Sequence, residues 1–202
     1  MKSLYDSLPE TVEVSGGEFA ITTDFRDWLK YDALICDDRV DDVDKVMTML
    51  EFYDEFPEND IDGAIMALTR FYLLGQEPLT GLNAAPNSEQ TPKVYDYAQD
   101  TALIFAGFMQ AYNINLYDID YMHWWAFRSL LEGLPDDTRF KWVVSIRAAD
   151  TKKMGKHERE HYEKLKKLCA LNDAPKRPRT LQERNEEMIN HAKKISRRAN
   201  MG

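Results

Sequence analysis

His157-Glu158-Arg159-Glu160-His161 spells the HExxH pattern of zinc hydrolases. In that chemistry two histidines one helical turn apart hold the metal, the glutamate acts on the bound water, and a third ligand comes from elsewhere in the chain. The surroundings argue against it. Lys152, Lys153, Lys156, Lys164, Lys166 and Lys167 flank the motif, and its inner residues Arg159 and Glu160 are charged. The next histidine, His191, lies 30 residues on, beyond a proline-containing segment. The pattern therefore reads as a solvated helix face, and no metal and no cofactor are expected. The carboxylate pairs Asp37-Asp38, Asp41-Asp42 and Asp136-Asp137 fall where turns and helix starts are predicted, so they read as caps rather than acid–base dyads. Cys36 and Cys169 form no metal pattern and fit reduced thiols in a cytosol. With no Ser-His-Asp arrangement, phosphate loop or dinucleotide fingerprint, enzymatic activity is not expected.

A second candidate chemistry is phosphate binding by the basic C-terminal part. Residues 151–202 carry 15 basic and 7 acidic side chains, whereas residues 1–150 carry 11 basic and 28 acidic ones. The lysine-rich stretch followed by Lys176, Arg177 and Arg179 could contact a nucleic-acid backbone. No aromatic residue follows Tyr162, the body is acidic, and no helix-turn-helix or zinc motif frames the arm, so nucleic acid is not the expected partner. The asymmetry equally fits attraction between tail and body, within one chain or between neighbours of an oligomer. The longest apolar run, Ala102 to Met109, is far short of the roughly 20 residues needed to span a bilayer. The segment Met1-Lys2-Ser3-Leu4-Tyr5-Asp6 lacks the apolar core of a signal peptide.

The third candidate is recognition by aromatic side chains. Tyr121-Met122-His123-Trp124-Trp125-Ala126-Phe127-Arg128 concentrates four large rings and a histidine in a stretch predicted helical. At about 100° per residue, Ile119, Met122, Ala126 and Leu130 form one stripe, with Tyr121, Trp125 and Arg128 opposite and Trp124 at the boundary. Either the helix is sandwiched between two layers, or Tyr121, Trp124, Trp125 and Arg128 face a partner, being of the types enriched at interface hot spots. His123 is expected to be a packed, hydrogen-bonded core residue.

These residues must be positioned by a mainly α fold. The pattern predicts a compact multi-helix domain over residues 1–171, with a β-hairpin at about 11–22, and a basic helical extension over 172–202. In the hairpin, Gly16-Gly17 would form the turn, pairing Val14 with Phe19 and Val12 with Ile21 so that all four share one face. Asp24 caps a helix burying Phe25, Trp28 and Leu29. Val43, Val46, Met47 and Leu50 form one helical stripe, and Ile61, Ala64, Ile65, Leu68 and Tyr72 another. A helix from about Tyr97 to Tyr112, apolar nearly all round, is expected to be the buried centre. Asp136 would cap the next helix, to about Ala149, followed by a lysine-rich one from Gly155 to Leu171. Residues 75–93, with Pro78, Pro86 and Pro92, form a long loop. Beyond the Pro175–Arg179 linker, Thr180-Leu181-Gln182-Glu183 has capping-box spacing. The stripe that follows, Leu181, Met188, Ala192 and Ile195, is thin enough to need a partner surface.

Leu4-Tyr5-Asp6-Ser7-Leu8-Pro9-Glu10, Ile21-Thr22-Thr23-Asp24-Phe25-Arg26-Asp27-Trp28 and the aromatic segment Tyr121 to Leu131 together carry a resemblance. They resemble a family of small bacteriophage proteins encoded next to the tape measure gene in long-tailed phages of Gram-positive bacteria, read as tail assembly chaperones. The lysine-rich ending Lys166-Lys167-Leu168-Cys169-Ala170-Leu171 is similar as well, so the resemblance runs from about Leu4 to Leu171. It implies a non-enzymatic protein of the host cytoplasm, absent from the mature virion. Such a protein binds the phage tape measure protein and keeps it soluble until the tail tube protein polymerises around it. It also implies a homo-oligomer making several weak client contacts. A structural tail or connector protein retained in the virion is the alternative.

Overall fold

The computed structural model describes residues 6–37, 39–76 and 94–172. Strands β1 (Thr11–Val14) and β2 (Gly17–Ala20) pair antiparallel, with Val12 opposite Phe19 and Val14 opposite Gly17. The expected hairpin is present, but its turn is Ser15-Gly16 rather than Gly16-Gly17, so the register is two residues away from the expected one. Both turn residues have positive φ, 50° and 82°, the geometry that matches the twist of the flanking strands. The Ser15 hydroxyl donates to the Asp60 carboxylate, which holds the turn on the body. An even slip preserves strand parity, so Val12, Val14 and Phe19 still face inward. Ile21 runs past the pair and bridges to Tyr53. A Cβ on Gly16 would meet open space, so Gly16→Ala isolates the cost of the backbone angle. A thermal melt should show a loss of about 1–2 kcal/mol with unchanged helical content.

Seven helices follow among the described residues. They are α1 (Phe25–Ile35), α2 (Asp42–Leu50), α3 (Ile61–Tyr72), α4 (Thr101–Tyr112), α5 (Trp124–Glu132), α6 (Arg139–Ala148) and α7 (Lys156–Cys169). Aspartates start the first three: Asp24 accepts from the Arg26 N–H, Asp41 from Val43 and Asp60 from Gly63, at 2.8–2.9 Å. For α6 the cap is Thr138, not Asp136. The buried Thr138 hydroxyl donates to the Pro135 carbonyl at 2.7 Å and accepts from Lys141 at 3.4 Å. The α7 helix packs on α6. Residues 77–93 and 173–202, which hold most of the expected loop and the expected terminal helix, lie outside the described residues.

The centre is an aromatic cluster between α1, the end of α3, and α5. Trp28 and Trp124 are fully buried with ring centroids 6.3 Å apart, and Tyr72 stacks on Trp124 at 5.4 Å. On the far side of α5, Phe127 stacks on Phe25 at 4.7 Å and on Phe108 of α4 at 5.4 Å. This corrects the expectation that the Tyr97–Tyr112 helix occupies the middle. The α4 helix buries Ile104, Gly107 and Phe108, whereas Leu103 and Phe105 are half-buried and Met109 is exposed. It also starts four residues late. Asp96 caps a turn through Ala98 and Gln99, and Asp100 is drawn into an ion pair with Arg147 of α6.

Candidate functional site

The structure does not bring Tyr121, Trp124, Trp125 and Arg128 to one exposed face. The helix begins at Trp124, so Tyr121 lies before it, exposed, with its hydroxyl 2.7 Å from that of Thr23. Trp124 and Trp125 are 0% and 7% exposed. Their indole N–H groups donate to the Tyr72 and Phe71 carbonyls at 3.0 and 2.9 Å. Those carbonyls belong to the last turn of α3, where helix geometry leaves acceptors unsatisfied. The two tryptophans thus cap α3 from the side, and α5 is sandwiched. Arg128 lies over the Trp124 ring at 5.4 Å and pairs with Glu132 at 2.9 Å. It braces the cluster.

His123 is the buried residue expected from the sequence. Its Nε2–H donates to the Pro9 carbonyl and its Nδ1 accepts the Trp125 N–H, both at 3.0 Å, so it caps α5 as the neutral ring. Burial lowers its pKa, against the opposing pull of the Pro9 carbonyl and Glu10. Above the unfolded value of about 6.5 both states are neutral. As pH falls through that value the unfolded chain takes up a proton that the folded chain resists, so stability declines. The melting temperature should fall between about pH 7 and 5.5, before carboxylates titrate near pH 4. His123→Asn keeps a capping acceptor and should flatten that part of the profile.

His157, Glu158 and His161 lie exposed along α7, as a solvated face would. Among the described residues, no group of three or more His, Cys, Asp or Glu could hold a metal ion. Among the same residues no helix is long and apolar enough to cross a membrane.

What the fold does assemble is an open apolar surface on α4. Ala102, Phe105, Ala106 and Met109 follow i, i+3, i+4, i+7 spacing on its outer side. Ala102, Ala106 and Met109 are exposed, and Phe105 is half-buried. Beside this stripe Tyr117 stands 70% exposed, its ring 5.1 Å from Phe105. Between them opens a cavity of about 200 Å³, walled by Phe25, Leu29, Ile104, Phe105, Leu116 and Tyr117. A closed apolar cavity of about 150 Å³ admits benzene, so this one has room for one aromatic or branched aliphatic side chain.

Arg26 holds the rim in place. Its guanidinium donates to the Leu116, Ile119 and Asp120 carbonyls, tying the turn that carries Tyr117 to the first turn of α1. The surface can therefore seat an apolar helix laid along α4, with one side chain inserted beside Tyr117. Sequence reasoning had the signal, since α4 is apolar all round, but that composition pointed to burial. Tyr117 lies in a turn and carried no periodic signal.

Comparison with known proteins adds one match. The family model described as Bacteriophage Gp15 protein matches residues 4–171, most of the chain. No curated protein and no solved structure matches.

Proposed function

The chain belongs to the Bacteriophage Gp15 protein family, and from that premise we propose that it is a tail assembly chaperone. It binds the tape measure protein of its phage and keeps it soluble until the tail tube protein polymerises around it. It works in the host cytoplasm, as an oligomer, and is absent from the finished virion. A tape measure protein is a long, apolar, helical chain, so its holder must offer apolar grooves inside a charged exterior. The observation that carries this reading is the α4 stripe. The most apolar helix of the protein leaves Ala102, Ala106 and Met109 exposed beside the Tyr117 cavity. The remaining surface is strongly charged, with net charge −17 over residues 1–150.

Co-expression with the cognate tape measure protein tests the proposal. The expected outcome is a clear rise in soluble tape measure, with this protein copurifying from lysate and missing from purified tails. Tape measure that stays insoluble would remove the chaperone reading. Recovery of the protein from purified tails would favour a structural tail component instead. Met109→Asp with Tyr117→Ser should abolish the solubilisation. Both side chains are exposed, so thermal stability should move by no more than about 0.5 kcal/mol.

A further inference from the structure

The α2 helix bears a second apolar face, distinct from that of α4. Of the stripe Val43, Val46, Met47 and Leu50, Leu50 is buried, Val46 is half-buried, and Val43 and Met47 are 68% and 62% exposed. These two lie one turn apart within a strongly acidic stretch. Residues 37–62 hold 11 acidic and 2 basic side chains. A ligand for this face must therefore be apolar along one line and basic beside it.

The chain itself contains such a segment, and the structure fixes where it leaves the body. The backbone of Asn172 exchanges two hydrogen bonds with the Gln99 side chain, at 2.8 and 3.1 Å. Arg147 holds the Cys169 carbonyl at the end of α7. Gln99 lines a groove of about 520 Å³ whose wall also includes Cys36, Asp37 and Arg39, the turn leading into α2. The chain thus departs at one end of a groove whose other end is the entrance to α2. Residues 173–202 hold 8 basic and 4 acidic side chains and the stripe Leu181, Met188, Ala192 and Ile195. The seven residues Asp173–Arg179 can reach about 23 Å at roughly 3.3 Å each when extended.

We propose that the C-terminal segment Thr180–Ile195 of the same chain covers the Val43/Met47 face of α2. The basic linker Asp173–Arg179 lies along the groove to deliver it. The stripe at Leu181, Met188, Ala192 and Ile195 removes Val43 and Met47 from water. Arg184, Lys193 and Lys194 then stand near Asp42, Asp44 and Glu51, so the contact weakens with salt. This surface is separate from α4, and its failure would leave the chaperone proposal standing.

The test uses the full chain carrying Met47→Cys, alone and combined with Met188→Glu and Ile195→Glu. Maleimide alkylation at position 47 is followed by peptide mass spectrometry, which resolves it from native Cys36 and Cys169. The same tail changes are paired with Met109→Cys on α4 as the reference. Alkylation at position 47 should be about tenfold slower with the native tail than with the altered one, as when the uncovered form is about a tenth of the population. The protection should shrink at high salt and be independent of protein concentration, while position 109 reacts alike in both backgrounds. Equal rates at position 47 would overturn the proposal. Protection that grows with protein concentration would also overturn it, assigning the face to a second copy.

Discussion

Trp124→Ala should remove most of the protein's stability. The ring is fully buried among Trp28, Tyr72, Tyr97 and Phe127, and its N–H satisfies the Tyr72 carbonyl at the end of α3. The change opens a large cavity and leaves that carbonyl without its indole donor. Aromatic-to-alanine changes in cores cost about 3–5 kcal/mol, against a typical total of about 5–15 kcal/mol. Chemical denaturation should show a much earlier midpoint with an unchanged slope. Trp125→Ala should act in the same way but less strongly. It should lose client binding only to the extent that it unfolds, since Trp125 packs on Phe71 with centroids 5.6 Å apart. A folded Trp124→Ala protein of near-native stability would refute the aromatic centre.

The second large effect is expected at Arg147. Its guanidinium makes a two-pronged contact with Asp100 at 2.6 and 2.9 Å and donates to the carbonyls of Val94 and Cys169. The two side chains are 12% and 4% exposed. Removing one partner strands the other charge, which costs about 3–5 kcal/mol in buried pairs. Arg147→Met should therefore lower the melting temperature sharply and loosen the end of α7, read as faster amide exchange over residues 156–169. Adding Asp100→Leu should recover much of the loss, because the stranded carboxylate accounts for most of it. A single variant that melts like the native protein would show the pair to be dispensable.

Much of the architecture was legible because it rests on local rules. The aspartate caps at Asp24 and Asp41, the 3.6-residue stripes of α3 and the period-two faces of the hairpin each declare themselves within about ten residues. What was not legible depended on choices that local rules leave open. Ser15-Gly16 and Gly16-Gly17 both allow a tight turn, and contact with Asp60, 45 residues away, accompanies the one adopted. The α5 helix starts at Trp124 because His123 caps it, and histidine is outside the usual capping set. Starting the helical wheel at Tyr121 therefore placed Tyr121, Trp125 and Arg128 on a face that does not exist. The Asp100–Arg147 pair joins residues 47 apart and leaves no periodic trace. For α4, all-round apolar composition is the same whether the outer side is buried by the protein or kept for a partner. Sequence pattern alone could not separate those cases.

Binding of an apolar helical tape measure segment to the purified full chain tests the central claim most directly. Titration should give saturable binding, and Met109→Asp with Tyr117→Ser should weaken it by about 2 kcal/mol or more. The melting temperature should stay close to that of the native protein. Native-strength binding by this variant would contradict the α4 site, and no binding by the unaltered protein would contradict the chaperone reading itself.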